Sequence, residues 1–166
     1  MQALNMYEYI EQESNLSGKE IIYDFYCGIG TISIFLAKNA KRVYGFEIIE
    51  SAIKDAQKNA KINNINNIDF YCGDLTKIFN DNQKLHLENN VDILIVDPPR
   101  SGIHKKTIKK IIEINPIKII YISCNPSTQA RDVKLFSDNR YNLKKVLPID
   151  MFPHTPHIEN IAVLEI

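Results

Sequence analysis

The chain has 166 residues, 45% of them hydrophobic, which fits one domain able to bury about 70% of the surface its unfolded form exposes, with no need of a metal or disulfide. Twenty basic residues balance twenty acidic ones, and a formal net charge of zero argues against a chain that grips a nucleic acid unaided. Cys27, Cys72 and Cys124 lie far apart, with no CxxC pair and no zinc-like spacing, so they argue against a metal site and for a reducing cytoplasm; no signal peptide and no run of 18 apolar residues is present.

Short apolar runs alternate with longer amphipathic segments, a rhythm that predicts a three-layer α/β domain with a parallel sheet between helices. Strands are expected at Ile21–Phe25, Arg42–Phe46, Ile68–Tyr71, Val91–Val96 and Lys118–Ile122. Helices are expected at about Gly30–Asn39, Ile49–Asn63, Lys105–Ile114 and Pro126–Ser137. Tyr141–Ile149 and Glu159–Ile166 then read as a hairpin, making the last strand antiparallel. Together these give the seven-stranded, mostly parallel sheet of Rossmann-like methyltransferases, where ligands sit beyond the carboxyl ends of the strands. The polar stretch from Asn80 to Asn90 reads as a solvated connection.

The first strand runs into DFYCGIGT, residues 24–31. Gly28 and Gly30 allow a tight turn and close backbone approach to a ligand, and the helix that follows offers free N–H groups. A dinucleotide would suit such a turn as well. Asp24 favours a cationic amino group over a pyrophosphate, and Glu47 at the end of the second strand suits ribose hydroxyls; the pair points to S-adenosylmethionine. Asp74, at the end of the third strand, is placed to accept from an adenine amino group, with Cys72 beside it as a small packing residue.

The fourth strand delivers Asp97, Pro98, Pro99 and Arg100 to the same edge, where the prolines turn the chain outward. Enzymes that methylate exocyclic amines of bases carry an aromatic after such a DPP; Arg100 stands there instead and is a candidate substrate contact. The fifth strand ends at Cys124 in SCNPSTQARD, and a thiol at a helix N-terminus has its pKa lowered by the dipole. Glu159 begins the last strand, where partial burial suits a base, and His154 in DMFPHTPHIEN is a second candidate substrate contact. His154 and His157, without further ligands, do not make a metal site. Uracil C5 is a poor nucleophile, and its methylation needs one thiolate, one carboxylate and a cofactor pocket around one base. The run KKTIKK, Lys105–Lys110, reads as a solvated helix face.

The motifs DFYCGIGT, DPPRSGI, SCNPSTQARD and DMFPHTPHIE closely resemble those of the bacterial RNA 5-methyluridine methyltransferases that modify uridine in 23S rRNA and tRNA, and the resemblance spans nearly the whole chain. It implies that Cys124 is the nucleophile and Glu159 the proton acceptor. It further implies that Tyr26, Thr31, Glu47 and Asp97 contact S-adenosylmethionine, with Asp74 near the adenine, and that the substrate is rRNA rather than tRNA. Family members resemble longer chains, with an N-terminal OB-type RNA-binding domain and a central insertion. Residues 1–166 therefore read as the catalytic domain alone, beginning after the family's FxQ segment, with weak RNA binding and little activity by itself. An amino-group methyltransferase and a non-catalytic binding module are the alternatives; only the uracil mechanism demands Cys124.

Overall fold

A computed structural model describes residues 2–80, 90–150 and 158–166, with side chains from residue 4 onward. The chain forms α1 (Gln2–Ser14), β1 (Ile21–Phe25), α2 (Thr31–Ala37), β2 (Arg42–Glu47), α3 (Glu50–Ile62), β3 (Ile68–Cys72) and α4 (Leu75–Asn80). It continues through β4 (Ile93–Val96), α5 (Lys105–Ile114), β5 (Lys118–Ser123), α6 (Pro126–Ser137), β6 (Asn142–Ile149) and β7 (Glu159–Glu165). The seven strands are ordered β3-β2-β1-β4-β5-β7-β6, and β7 runs antiparallel to both of its neighbours. This is the expected three-layer architecture, with the hairpin folded so that its second strand, not its first, lies against β5.

The central strands are apolar on both faces because helices cover both. In β1, Tyr23 and Phe25 face a core completed by Phe79 of α4, Ile108 and Ile111 of α5 and Phe136 of α6. Ile22 faces the other core, with Met6 and Ile10 of α1 and Ile32 and Leu36 of α2. Strand β6 is the exception: it is an edge, largely exposed, with Lys144, Lys145 and Pro148 and a register shift between Leu143 and Lys145. Charge, proline and a bulge each discourage pairing with another chain.

Two helices were not foreseen as such. The amphipathic opening residues form α1, which runs on to Ser14, and the six-residue α4 is too short to show a helical period. Phe79 of α4 nevertheless closes an aromatic cluster, its ring 5.5 Å from Phe25 and 5.1 Å from Phe46. The expected connection at Asn80–Asn90 lies, apart from its end residues, outside the described residues. Among the described residues no helix is long and apolar enough to cross a membrane.

Candidate active site

The carboxyl ends of β1, β2 and β3 enclose a cavity of about 340 Å³, within the range of small-molecule sites. Phe46 and Ile48 supply its apolar surface, Glu47 and Asp74 its acids, and Tyr26 one wall. The turn after β1 keeps Tyr26, Gly28 and Gly30 at φ of 63°, 54° and 78°. A Cβ at Gly28 would meet nothing within 4 Å, so the left-handed backbone alone calls for glycine there, whereas a Cβ at Gly30 would sit 2.8 Å from the Phe70 ring and 3.1 Å from Ala56. Crowding at Gly30 thus comes from the protein's own β3 and α3. Thr31, exposed, opens α2, and the Tyr7 hydroxyl of α1 donates to its Oγ1 at 3.5 Å.

Glu47 is anchored by backbone amides: Oε1 accepts from Ile48 N at 2.7 Å and Ile49 N at 3.0 Å, and Oε2 from Gly28 N at 3.2 Å. Each carboxylate oxygen can accept two hydrogen bonds, so Oε2 retains capacity for a ligand hydroxyl. Asp74 caps α4, with Oδ1 accepting from the Thr76 hydroxyl and from Lys77 N at 3.1 Å; the Thr76 bond leads in lowering its carboxyl pKa.

Two sequence expectations are corrected. Asp24, assigned to a cationic amino group, is 1% exposed and accepts from the Ser33 hydroxyl of α2. It shares the sheet face of Ile22, so it ties β1 to α2 beneath the turn; burial lifts its carboxyl to about 7 against the opposing Ser33 bond. Cys72, read as a packing residue, is exposed, its Sγ 3.7 Å from Ile48 O, because β3 ends at the open edge. His104 and Thr107, which sequence reasoning missed, complete the cavity wall. His104 also caps α5, its Nδ1 accepting from Lys106 N at 3.2 Å, and a polar residue immediately before KKTIKK was the available signal.

The second half of the edge lies over β4, β5 and β7. Ser123 of β5 pairs with Asn160 of β7 as the last rung of their ladder; Cys124 follows the one and Glu159 precedes the other, so both lie at the same end of this antiparallel strand pair. Both are half-buried, and burial raises the Glu159 carboxyl above its ordinary range. Cys124 immediately precedes Asn125, which caps α6 by accepting from Ser127 N at 3.1 Å, and Pro126 occupies the first turn. Asp97 keeps part of its surface open to solvent. The surrounding walls nonetheless strip enough water to lift its carboxyl to about 6, and the Glu159 charge adds to the rise.

The DPPRSGI turn is stapled to α6. Arg100 O accepts from Asn125 Nδ2 at 3.1 Å and from Thr128 Oγ1 at 3.2 Å, which leaves the Arg100 side chain exposed beside Cys124. Asp132, 0% exposed, accepts from Ile103 N at 2.7 Å and the Tyr121 hydroxyl at 2.9 Å, and pairs with Arg131, whose Nη2 reaches Ser101 O at 3.1 Å. This network was also missed. Its signal was present: Gln129, Asp132 and Phe136, at i, i+3 and i+7, form the buried face of α6, and two polar residues on such a stripe need partners. His154 and His157 lie outside the described residues.

Of the expected cofactor residues, Tyr26, Glu47 and Asp74 line the cavity and Gly28 touches it through Glu47, whereas Gly30 packs against Phe70 and Ala56 and Thr31 faces Tyr7; Asp97, Arg100, Cys124 and Glu159 follow or begin β4, β5 and β7 at the same edge of the sheet, outside the cavity lining. Against known proteins, the model of the tRNA (Uracil-5-)-methyltransferase family matches residues 2–166. An uncharacterized RNA methyltransferase of Bacteroides thetaiotaomicron is 44% identical over 165 residues, 99% of this chain and 36% of that protein. One of Halalkalibacterium halodurans is 45% identical over 162 residues, 97% of this chain and 35% of that protein. The chain therefore spans about a third of these relatives' length. Among solved structures, the Pyrococcus abyssi tRNA (uracil-54, C5)-methyltransferase in complex with S-adenosyl-L-homocysteine superposes with a TM-score of 0.81 at 39% identity, covering 98% of this chain and 38% of that one. A Streptococcus thermophilus rRNA methylase shares the fold at a TM-score of 0.73 and 14% identity, covering 99% and 96%.

Proposed function

Because this chain belongs to the tRNA (Uracil-5-)-methyltransferase family, we propose that it transfers a methyl group from S-adenosylmethionine to C5 of a uridine in RNA through a covalent Cys124 adduct. The single observation that supports this reading is the Ser123–Asn160 rung, which brings the end of β5, followed by Cys124, and the start of β7, Glu159, to the same end of one strand pair. An amino-group methyltransferase has no use for a thiol and a carboxylate across one strand pair.

The cavity suits the cofactor's nucleoside: Phe46 and Ile48 offer apolar contact, Glu47 Oε2 an acceptor for ribose hydroxyls, and Asp74 an acceptor at the far end. Tyr26, Gly28, Gly30, Thr31 and Asp97 complete the proposed contacts. Bound there, S-adenosylmethionine supplies an electrophilic methyl group and is left as S-adenosylhomocysteine.

The remaining work belongs to the chain. The Cys124 thiolate adds to uracil C6, forming an S–C6 bond while the C5–C6 π pair moves into the ring as an enolate, which makes C5 nucleophilic. Once C5 carries the methyl group it still holds its proton. Glu159, its carboxyl made more basic by burial, takes that proton; the C–H pair restores the C5–C6 double bond, the S–C6 bond breaks, and Cys124 leaves as thiolate. Asp97 sits between the two halves, and the exposed Arg100 side chain is the proposed contact for the RNA backbone or base. His154 is retained as a proposed substrate contact.

We read the substrate as rRNA, on the motif resemblance, with tRNA as the competing class because the Pyrococcus abyssi enzyme is a tRNA methyltransferase. The zero net charge supports a division of labour in which the RNA-gripping surface lies outside residues 1–166, and this domain alone binds RNA weakly.

RNA carrying 5-fluorouridine tests the mechanism, since fluorine at C5 cannot leave as a proton. The full chain is expected to form a denaturation-stable adduct with the fluorinated RNA, lost in Cys124→Ala. Methylation of ordinary RNA by the wild type without any adduct on the fluorinated substrate would sink the covalent reading. Running 23S rRNA and tRNA side by side separates the two substrate classes.

A further inference from the structure

We infer that Gln129 is a positioning residue: through Asn160 it holds Glu159 at the Cys124 end of the strand pair, and it serves the proton-removal half of the reaction rather than methyl transfer. The inference rests on the roles proposed above for Cys124 and Glu159.

Gln129 lies on the sheet-facing stripe of α6 and is 2% exposed, in a place where an apolar side chain is the usual occupant. Its Nε2 donates to Tyr121 O of β5 at 2.8 Å and to Asn160 O of β7 at 3.0 Å, while its Oε1 accepts from the Asn160 side-chain amide. One side chain therefore joins α6, β5 and β7. Asn160, 8% exposed, is the residue after Glu159, and Tyr121 is three residues before Cys124.

Register gives this cluster its consequence. Successive strand residues face opposite sides of a sheet, so a slip of one residue turns a whole side-chain set over. With Asn160 held toward α6, Glu159 takes the other face, the one shared by Ile161 and Val163. A slip of β7 by one residue would carry Glu159 away from Cys124. It would also separate the Asn160 side-chain amide from Gln129 Oε1 and leave Gln129 Nε2 with Tyr121 O alone, whereas no buried side-chain nitrogen or oxygen among the described residues lacks a partner. The outer neighbour, β6, gives little help, since it is an exposed edge strand. The mutual bonds of the two amides form in the register that brings the base to the thiol's end of the strand pair, and so act as a register lock behind the reacting groups.

The two halves of the reaction make the role testable. The full chain is incubated with a labelled methyl donor and with bulk ribosomal and transfer RNA from cells lacking the gene, and two quantities are read: methyl groups transferred in a single turnover, and protein trapped as a denaturation-stable methylated RNA adduct. Glu159→Gln is the reference, expected to transfer the methyl group and then hold the adduct. Gln129→Leu and Asn160→Ala, which cut the lock from either end, are expected to keep methyl transfer within about twofold and slow adduct release on the order of 10- to 100-fold, the scale of a displaced reacting group. The double variant should be no worse than either single one.

If methyl transfer and release instead fall together, with a lowered melting temperature and no adduct, the pair is merely structural and the inference is overturned. If Gln129→Leu does not fold, Asn160→Ser, which keeps a small donor toward Gln129, reads the same two quantities. Failure of Glu159→Gln itself to accumulate adduct strikes the underlying Cys124–Glu159 reading, and is thereby distinguished from failure of the Gln129 variants alone.

Discussion

On the β1–β3 side of the carboxyl edge, polar groups are held mostly by their own chain neighbours: Glu47 by the amides of Ile48 and Ile49, Asp74 by Thr76 and Lys77. On the β4–β5–β7 side the holding bonds cross 25 to 31 residues of sequence, from Asn125 to Arg100, Asp132 to Ile103, and Gln129 to Asn160. A nucleoside pocket can be built within successive strand–turn–helix units. Two reacting groups on separate antiparallel strands cannot, and their alignment depends on buried side chains that tie three elements together.

The comparison breaks most visibly at Asp132. Asp132→Ala leaves the buried Tyr121 hydroxyl and the Ile103 amide without their acceptor, and is expected to cost about 3–5 kcal/mol, the scale for breaking a buried charged network. Asp74→Ala, which removes a helix cap on the other side, should cost only about 1 kcal/mol. Urea unfolding of both variants measures the contrast. Comparable losses would show that the two halves are held alike.

The same division explains what the sequence made legible. Strands β1, β4 and β5 and helices α5 and α6 announce themselves through apolar runs, a cap and a proline at the right place, and the glycine turn and the Cys124 motif are local signals. Helix α4 escaped because six residues give no period, and its contribution is one ring, Phe79, packed on Phe46. The insertion of β7 between β5 and β6 is a tertiary fact, and so are the networks of Gln129 and Asp132; each appears in sequence only as a polar residue on an apolar stripe. Asp24 was misread for a related reason. Its place before the glycines looks like a ligand position, and only the packing of α2 shows it sealed against Ser33.

Asp24, almost fully buried and held by Ser33 of α2, predicts a pH effect. Its folded-state carboxyl, raised to about 7 from an ordinary 3.8, stabilises the fold relative to the ionised form when protonated. The contribution is fully present below the unfolded pKa and is lost as pH rises through the folded one, so stability should fall between about pH 4 and pH 7 and level off above. Asp24→Asn, which keeps an acceptor for Ser33, should remove most of that fall, on the order of 4 kcal/mol for a carboxyl raised from 3.8 to about 7. Thermal melts of the variant and the wild type across this range check it; an unchanged slope would assign the titration to Asp97, whose carboxyl is raised to about 6.

The finest test separates local from long-range holding within one side chain. Asn125 caps α6 with its oxygen, accepting from Ser127 N, and clamps the DPPRSGI turn with its nitrogen, donating to Arg100 O. Asn125→Ala loses both and should cost about 1–2 kcal/mol. Asn125→Asp keeps the cap, gains from the helix dipole, and loses only the clamp, so its cost should be under about 1 kcal/mol. The new carboxylate would also adjoin Cys124 and disfavour the thiolate, so the pH–rate profile should move to higher pH while stability barely changes. A rate loss in Asn125→Asp without that displacement would show that the clamp on Arg100, rather than the charge beside the thiol, limits the reaction. In that case even the smallest cross-element bond on this side governs catalysis more than stability.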